Sequence, residues 1–288
     1  MRVLSQQQHE AFWRDGYLMA AGAVAERALH ALRAGLDGWI DDSRAHDRPW
    51  GETGHDFPRF DLEAGHSATR PRLRRVNNPA EIAADYEDAT FASPMAVMVA
   101  DLIGGAVKYH HGKINVKLPQ TASRVGLHQD FSYTPHTNDD IVTALLLLDD
   151  MTPENGPLTV APGSHRGPQL SLWQDGRFSG EIAESERARL TPAMVPLTGR
   201  AGDVCLMHTS LVHGSEPNRS DERRALFISV YTAADAMMLC PSPLPNRFEG
   251  RMVAGAPARV ARLTRQEVEL PSLSHRGSFF NLAGQGTN

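Results

Sequence analysis

His128, Gln129 and Asp130 form an HxD triplet within the segment GLHQDFSY. On a strand, a spacing of two puts the imidazole and the carboxylate on one face, where both can grip one ion. Two histidines and a carboxylate leave three coordination positions open, which suits iron(II), oxygen and a bidentate co-substrate. Alone the triplet is weak evidence. Chance supplies about one HxD in a chain of this composition, and a strand pair making ordinary surface hydrogen bonds reads the same way.

The context is GDVCLMHTSLVHGSEPNRSDERRALFISVY, which begins at Gly202 and holds two further histidines, His208 and His213. His213 is followed by Gly214, Ser215 and the polar turn EPNRSDE. Arg224 then opens an alternating strand with Leu226, Ile228 and Val230 on its own face. A hairpin here returns Arg224 beside the metal strand, where a planar guanidinium can clamp the distal carboxylate of a dicarboxylate. Ser215 shares the face of His213 and can add a hydroxyl. Two alternatives stay open on the residues alone: His208 as the ligand in place of His213, and Arg223 as the anchor after a register slip of one residue.

LHQDF, NGPLTVAPGSHRG and GDVxxxHxxxxHGSxxNxSxxxR, in that order, together resemble the phytanoyl-CoA dioxygenase-like family of iron(II)/2-oxoglutarate oxygenases, from about Leu4 to Tyr231. The resemblance implies a mainly β fold with flanking helices around a double-stranded β-helix (jelly roll, cupin-like) core. It implies His128, Asp130 and His213 as the catalytic iron ligands and Arg224 as the 2-oxoglutarate anchor, with Gln129 and Ser215 near the co-substrate. An upstream strand lines the pocket in that family. Here KINVKLP would place Lys113, Asn115 and Lys117 on one face, with Lys113 and Asn115 as co-substrate neighbours. The implied cofactor set is iron(II), 2-oxoglutarate and O2. The implied activity is hydroxylation of an unactivated C–H bond in a small or medium organic molecule, with release of succinate and CO2. Asp130 argues against halogenation, because halogenating relatives carry a small residue there. Leu146 stands where some members have a tryptophan. Desaturation, epoxidation and cyclisation share the same cofactors. A cupin-like module that only binds a metal and a small ligand is the non-enzymatic alternative, and it gives Arg224 no task.

These residues need a scaffold, and the sequence suggests one domain over 1–288. Residues 1–106 read as a mainly helical extension. Ser5 with Gln8 is a capping-box signal, and Val24, Leu29, Leu32, Leu36 and Ile40 keep helical spacing, so two helices are expected in the first 40 residues. A long loop is expected over 41–70 and Ala-rich helices over 80–103. The β core is expected over 107–232, with short strands at 107–109, 113–118, 126–131, 141–148, 158–161, 193–197, 203–208, 211–215 and 223–231. A lid-like insertion falls at 165–192, and 233–288 reads as a wrapping tail.

Composition excludes several classes. The net charge of −5 leaves no basic footprint for nucleic acid. No apolar run approaches a membrane span, and the opening residues MRVLSQQQHEAFWRDGY lack the uninterrupted apolar stretch expected of a signal peptide. Cys205 and Cys240 cannot build a disulfide framework or a zinc site. The expectation is a cytoplasmic monomer or homodimer acting on a small molecule.

Overall fold

The computed structural model describes residues 3–55 and 57–272. Helix α1 (Gln6–Asp15) starts at the expected capping box: the Ser5 side chain accepts from the Gln8 N–H while the Gln8 side chain accepts from the Ser5 N–H. Gly16, at φ 84°, closes it. The chain then runs extended as β1 (Tyr17–Ala20) before α2 (Glu26–Asp42), which buries Leu32 and Leu36. The first 40 residues therefore hold a strand that helical periodicity concealed. A four-residue strand is too short to show its own period, and pairing with a distant partner is what fixes it.

The expected loop also yields structure, as β2 (Phe60–Leu62), which pairs with β3 (Leu73–Asn77) in the unassigned stretch just beyond it. Helices α3 (Ala84–Phe91) and α4 (Pro94–Ile103) follow as expected. The two strands anticipated at 107–118 are one continuous strand, β4 (Val107–Lys117). Opposite it the register jumps from Val230↔His111 to Tyr231↔Tyr109, so the ladder absorbs His110 as a bulge.

The remaining elements are β5 (Val125–His128), β6 (Ile141–Leu147), β7 (Leu158–Val160), β8 (Trp173–Gln174), β9 (Arg177–Phe178), α5 (Glu184–Leu190), β10 (Val195–Pro196), β11 (Val204–His208), β12 (His213–Ser215), β13 (Arg224–Ala233) and β14 (Met252–Ala254). Apart from β8 and β9, which pair only with each other, the strands form two facing antiparallel sheets. The larger has the order β1-β11-β6-β13-β4-β3-β2, with β14 also on β4, and the smaller has the order β10-β7-β12-β5. This is the jelly-roll architecture of a double-stranded β-helix.

Strand alternation divides the core in two. On β6, Leu146 faces the helices and packs in a cluster with Phe12, Leu32, Tyr86 and Phe227. Its neighbours Leu145 and Leu147 face inward, against Leu158 and Val160 of the smaller sheet. All seven residues of β6 are buried, and all but Thr143 are apolar. The larger sheet is thus held rigidly from behind by helices, while its front face is free to carry polar side chains into the space between the sheets. Among the described residues, no helix is long and apolar enough to cross a membrane.

Candidate metal and co-substrate site

Antiparallel pairing of β5 with β12 sets His213 directly opposite His128, with ring centroids 4.2 Å apart. The third residue arrives differently from the expectation. Strand β5 ends at His128, and Asp130 lies in the 3-10 turn Asp130–Ser132. The turn still brings Asp130 Oδ1 to 3.6 Å from His128 Nε2 and 3.7 Å from His213 Nε2. The ligand atoms of the three residues all lie within 4.8 Å of one another.

The backbone chooses which imidazole nitrogen is offered. His128 Nδ1 bonds the Gly126 carbonyl at 2.8 Å, and His213 Nδ1 bonds the Leu211 carbonyl at 3.0 Å. A carbonyl only accepts, so each Nδ1 carries the hydrogen and each Nε2 keeps its lone pair for a ligand. Burial, reinforced by the neighbouring His128, pushes His213 down to about 4 and keeps it neutral. For Asp130 burial opposes ionisation, yet His213 and His128 when protonated, and Lys113, outweigh it and hold the carboxyl far below its usual range. Thr143 Oγ1 donates to Asp130 Oδ2 at 3.0 Å, which leaves Oδ1 turned toward the histidines. Two imidazole nitrogens and one carboxylate oxygen, each oriented by its own hydrogen bond, fit a borderline divalent ion such as iron(II). Between His213 and Ser215 the strands come so close that a Cβ on Gly214 would meet Leu127 Cδ2 and the Val125 carbonyl at 2.8 Å each. Only glycine fits there.

The triad opens onto a cavity of about 70 Å³ between the sheets, which Ser215, Arg224, Lys113, Asn115 and Lys117 also line. The HGSxxNxS turn delivers Arg224 there. Asn218 Nδ2 ties the Lys117 and Glu222 carbonyls together at 3.0 and 2.7 Å, and Arg224 becomes the cross-strand partner of Lys117. Its Nε and Nη2 donate to the Gly156 carbonyl at 3.2 and 2.8 Å, which gives the NGP segment a positioning task. Lys117 Nζ donates to Ser215 Oγ at 2.8 Å and to the Glu216 carbonyl. Burial, and then Arg224, pushes Lys117 down to about 6, and burial lowers Arg224 to about 10.

The open alternatives are now separated. Arg223 points outward to Asp149, at 2.7 and 2.9 Å, and to Asp37. His208 packs its ring on Trp13 and His165 and accepts the Ser210 N–H on Nδ1, away from the triad. Gln129 needs correction. It faces away from the cavity, donates to the Ser210 carbonyl at 2.7 Å and accepts the Leu170 N–H at 2.7 Å, so it ties the metal turn to the insertion. Alternation between His128 and Asp130 sends it there. The insertion caps the site with Leu172 and Ile182, packed with Tyr133, whose ring stands edge-on to His128 at 5.4 Å.

Sequence reasoning missed Arg75. It lies on β3 opposite Asn115, is 1% exposed and lines the cavity. The available signal was the tandem Arg74–Arg75 in LRRVN: on a strand one of two adjacent arginines must point inward. Arg74 takes the other side and pairs with Asp61 at 2.9 Å.

Facing antiparallel sheets, a cross-strand histidine pair with an adjacent carboxylate, and a buried arginine on the opposite sheet define a non-haem iron oxygenase of the double-stranded β-helix class. Comparison with known proteins narrows this. The family model described as phytanoyl-CoA dioxygenase (PhyH) matches residues 12–226. The probable alpha-ketoglutarate-dependent hypophosphite dioxygenase of Stutzerimonas stutzeri is 34% identical over 75% of this chain and 75% of its own. The L-proline trans-4-hydroxylase of Streptomyces griseoviridis is 30% identical over 76% of this chain and 83% of its own. The crystal structure of EctD from S. alaskensis with 2-oxoglutarate and 5-hydroxyectoine superposes with a TM-score of 0.69 at 24% identity, covering 90% of this chain and 88% of that one, a likeness of fold. The chain belongs to the phytanoyl-CoA dioxygenase family, and it is a dioxygenase dependent on iron(II) and 2-oxoglutarate.

Proposed function

We propose that His128, Asp130 and His213 hold the iron, that Arg224 and Ser215, with Lys117 behind them, hold the distal carboxylate of 2-oxoglutarate, and that the enzyme hydroxylates a small molecule. The carrying observation is that the triad and the buried Arg224 share one cavity on facing sheets. Bound together, iron(II), 2-oxoglutarate and O2 supply an oxidant that places one oxygen atom in the substrate and the other in succinate, with loss of CO2.

The protein's own part is positional. The carbonyls of Gly126 and Leu211 fix both imidazoles, and Thr143 fixes the carboxylate. The Gly156 carbonyl fixes Arg224, whose remaining N–H groups can meet a carboxylate. Leu145, Leu158 and Leu226 keep the intervening wall apolar, which strengthens these charge interactions. Asn115 lies on this wall, whereas Lys113 lies nearer the metal ligands, where it feels the charge of Asp130.

We read the substrate as small from the relatives that match at 30% identity or more, one named as a hypophosphite dioxygenase and one as an L-proline hydroxylase.

Anaerobic titration of the protein with iron(II) and then 2-oxoglutarate tests the reading. A metal-to-ligand charge-transfer band is expected in the wild type, with none in Asp130→Ala, which also makes no succinate. Wild-type protein without the band, or Asp130→Ala with normal succinate formation, overturns it.

A further inference from the structure

Beyond β14 the described residues form no further helix or strand, and the chain runs back over the metal turn as a strap. Its backbone is laid on the loops that follow the metal turn and β13. Arg262 N–H donates to the Asp235 carbonyl at 3.1 Å, and Thr264 N–H donates to the Thr137 carbonyl at 3.0 Å. The Arg262 side chain adds ion pairs to Asp235, at 3.0 Å, and to Asp140. Over 259–270 every residue is exposed except Arg265 and Val268, which are half-buried. Both turn inward onto the same ring: Val268 packs in a cluster with Phe131, and the Arg265 guanidinium lies 4.6 Å from the centre of the Phe131 ring.

Arg265 joins three segments. Its Nη1 donates to Gln169 Oε1 of the insertion at 3.0 Å, its Nη2 donates to Asp139 Oδ2 at 2.8 Å, and its face covers Phe131, the residue after the metal ligand Asp130. Phe131 is the fixed side of that contact, since it is fully buried and its N–H is bonded to the Thr209 carbonyl at 2.9 Å. The insertion is the loose side: β8 and β9 pair only with each other, so no ladder ties them to either main sheet. Farther along the strap, Ser171 Oγ donates to Glu269 Oε1 and Trp173 Nε1 donates to the Leu270 carbonyl, each at 2.9 Å. The strap thus grips the insertion at Gln169, Ser171 and Trp173. The alternate residues Leu170 and Leu172 turn the other way, into the apolar cap with Ile182 and Tyr133.

We propose that Arg265 is a positioning residue for the reaction: through the strap it holds the insertion down over the metal and co-substrate site, and so sets how fast small molecules enter and leave. This rests on the functional reading above and adds the gate. The hold is built from a half-buried ion pair, a cation–π contact and a few hydrogen bonds near the surface, each weak by itself. A clasp of that strength opens far more often than the β core does. When a ligand passes only while the insertion is raised, loosening the clasp speeds entry and exit together and leaves affinity nearly unchanged.

The test uses the full chain. In the metal-free protein, hydrogen exchange at the Leu170 and Ile182 amides, which donate to Gln129 and to the Leu127 carbonyl, reads the raising of the insertion. These amides are expected to exchange faster than those of β13, and Arg265→Gln to speed them a further 3- to 10-fold or about that. With iron(II) loaded anaerobically, the charge-transfer band is followed in stopped flow against 2-oxoglutarate concentration. The slope of the observed rate gives association and the intercept gives dissociation. Both are expected to rise about 3- to 10-fold in Arg265→Gln, while their ratio stays within about threefold. Arg265→Lys, which keeps a charge over Phe131 and beside Asp139, should recover part of the effect, and Asp139→Asn should reproduce part of it. If Arg265→Gln fails to fold, Glu269→Ala, which removes an exposed contact at the far end of the strap, is expected to give the same joint rise on a smaller scale. The proposal is overturned if exchange of the insertion amides is unchanged, if only one of the two rates moves, or if a loss of stability comes with unchanged rates. A wild-type protein without the band refutes the functional reading itself, and the metal-free exchange still decides the strap.

Discussion

His128 and His213 face each other across the β5–β12 pair, and each donates its Nδ1 hydrogen to the carbonyl two residues before it. The same local bond, used twice on adjacent antiparallel strands, leaves both Nε2 atoms on the side of Asp130 Oδ1, at 3.6 and 3.7 Å. The orientation belongs to the backbone and does not wait for a metal.

Thr143 gives Asp130 its orientation, so Thr143→Val should weaken iron about 10- to 100-fold while leaving all three ligands in place. His213→Ala should abolish measurable iron binding. Iron titration followed by the anaerobic 2-oxoglutarate spectrum separates the two. Equal loss in both variants would mean that Thr143 acts through the fold.

The tandem arginines predict opposite phenotypes. Arg224→Ala should raise the KM for 2-oxoglutarate about 30- to 150-fold, corresponding to roughly 2–3 kcal/mol for a buried charge-assisted pair. Arg223→Ala removes its contact with exposed Asp37 and the bidentate pair with buried Asp149, outside the cavity, so it should leave that KM unchanged and lower stability by about 1–3 kcal/mol. Initial rates against 2-oxoglutarate, with a urea melt for each variant, decide the assignment.

Gln129 holds the insertion to the metal turn through the Ser210 carbonyl and the Leu170 N–H. Gln129→Leu leaves both backbone groups buried without that partner and should cost about 1–3 kcal/mol. The insertion should open more readily. Faster proteolysis within 165–192, and more succinate formed per substrate oxidised, are the expected readouts; unchanged coupling would limit Gln129 to a stabilising role.

Stability should depend on pH through buried histidines outside the triad. Burial pushes His136 down to about 4 and His111 to about 3, and lowers His208 as well. These rings stay neutral in the fold, whereas the unfolded chain takes up protons around the ordinary 6.5. Stability is therefore full above about pH 6.5, falls from there toward pH 4 by up to roughly 1.4 kcal/mol per unit for each ring, and levels off below their folded values. Urea melts between pH 7.5 and 4.5 measure the slope, and His136→Gln should reduce it by about one proton.

The sequence by itself carried the chemistry through a resemblance. The HxD triplet, the glycine-led strand ending in HGS, and an arginine eleven residues beyond His213 stand in the order of the phytanoyl-CoA dioxygenase-like family, and that joint pattern, which lies within the chain's local motifs, is what implies a metal and a dicarboxylate. The sequence also determined the first helix, through Ser5 and Gln8. Only the tertiary structure sets His213, and not His208, beside His128 and puts Arg224, and not Arg223, on the cavity, since each placement depends on which strand lies opposite. It took Asp130 off the strand into a turn and sent Gln129 toward the insertion. It also drew Arg75 from a segment with no assigned element into the cavity. Periodicity fixes which face of a strand a residue shares with its neighbours. Cross-strand register between distant segments fixes what that face meets, and no short window of sequence contains both partners.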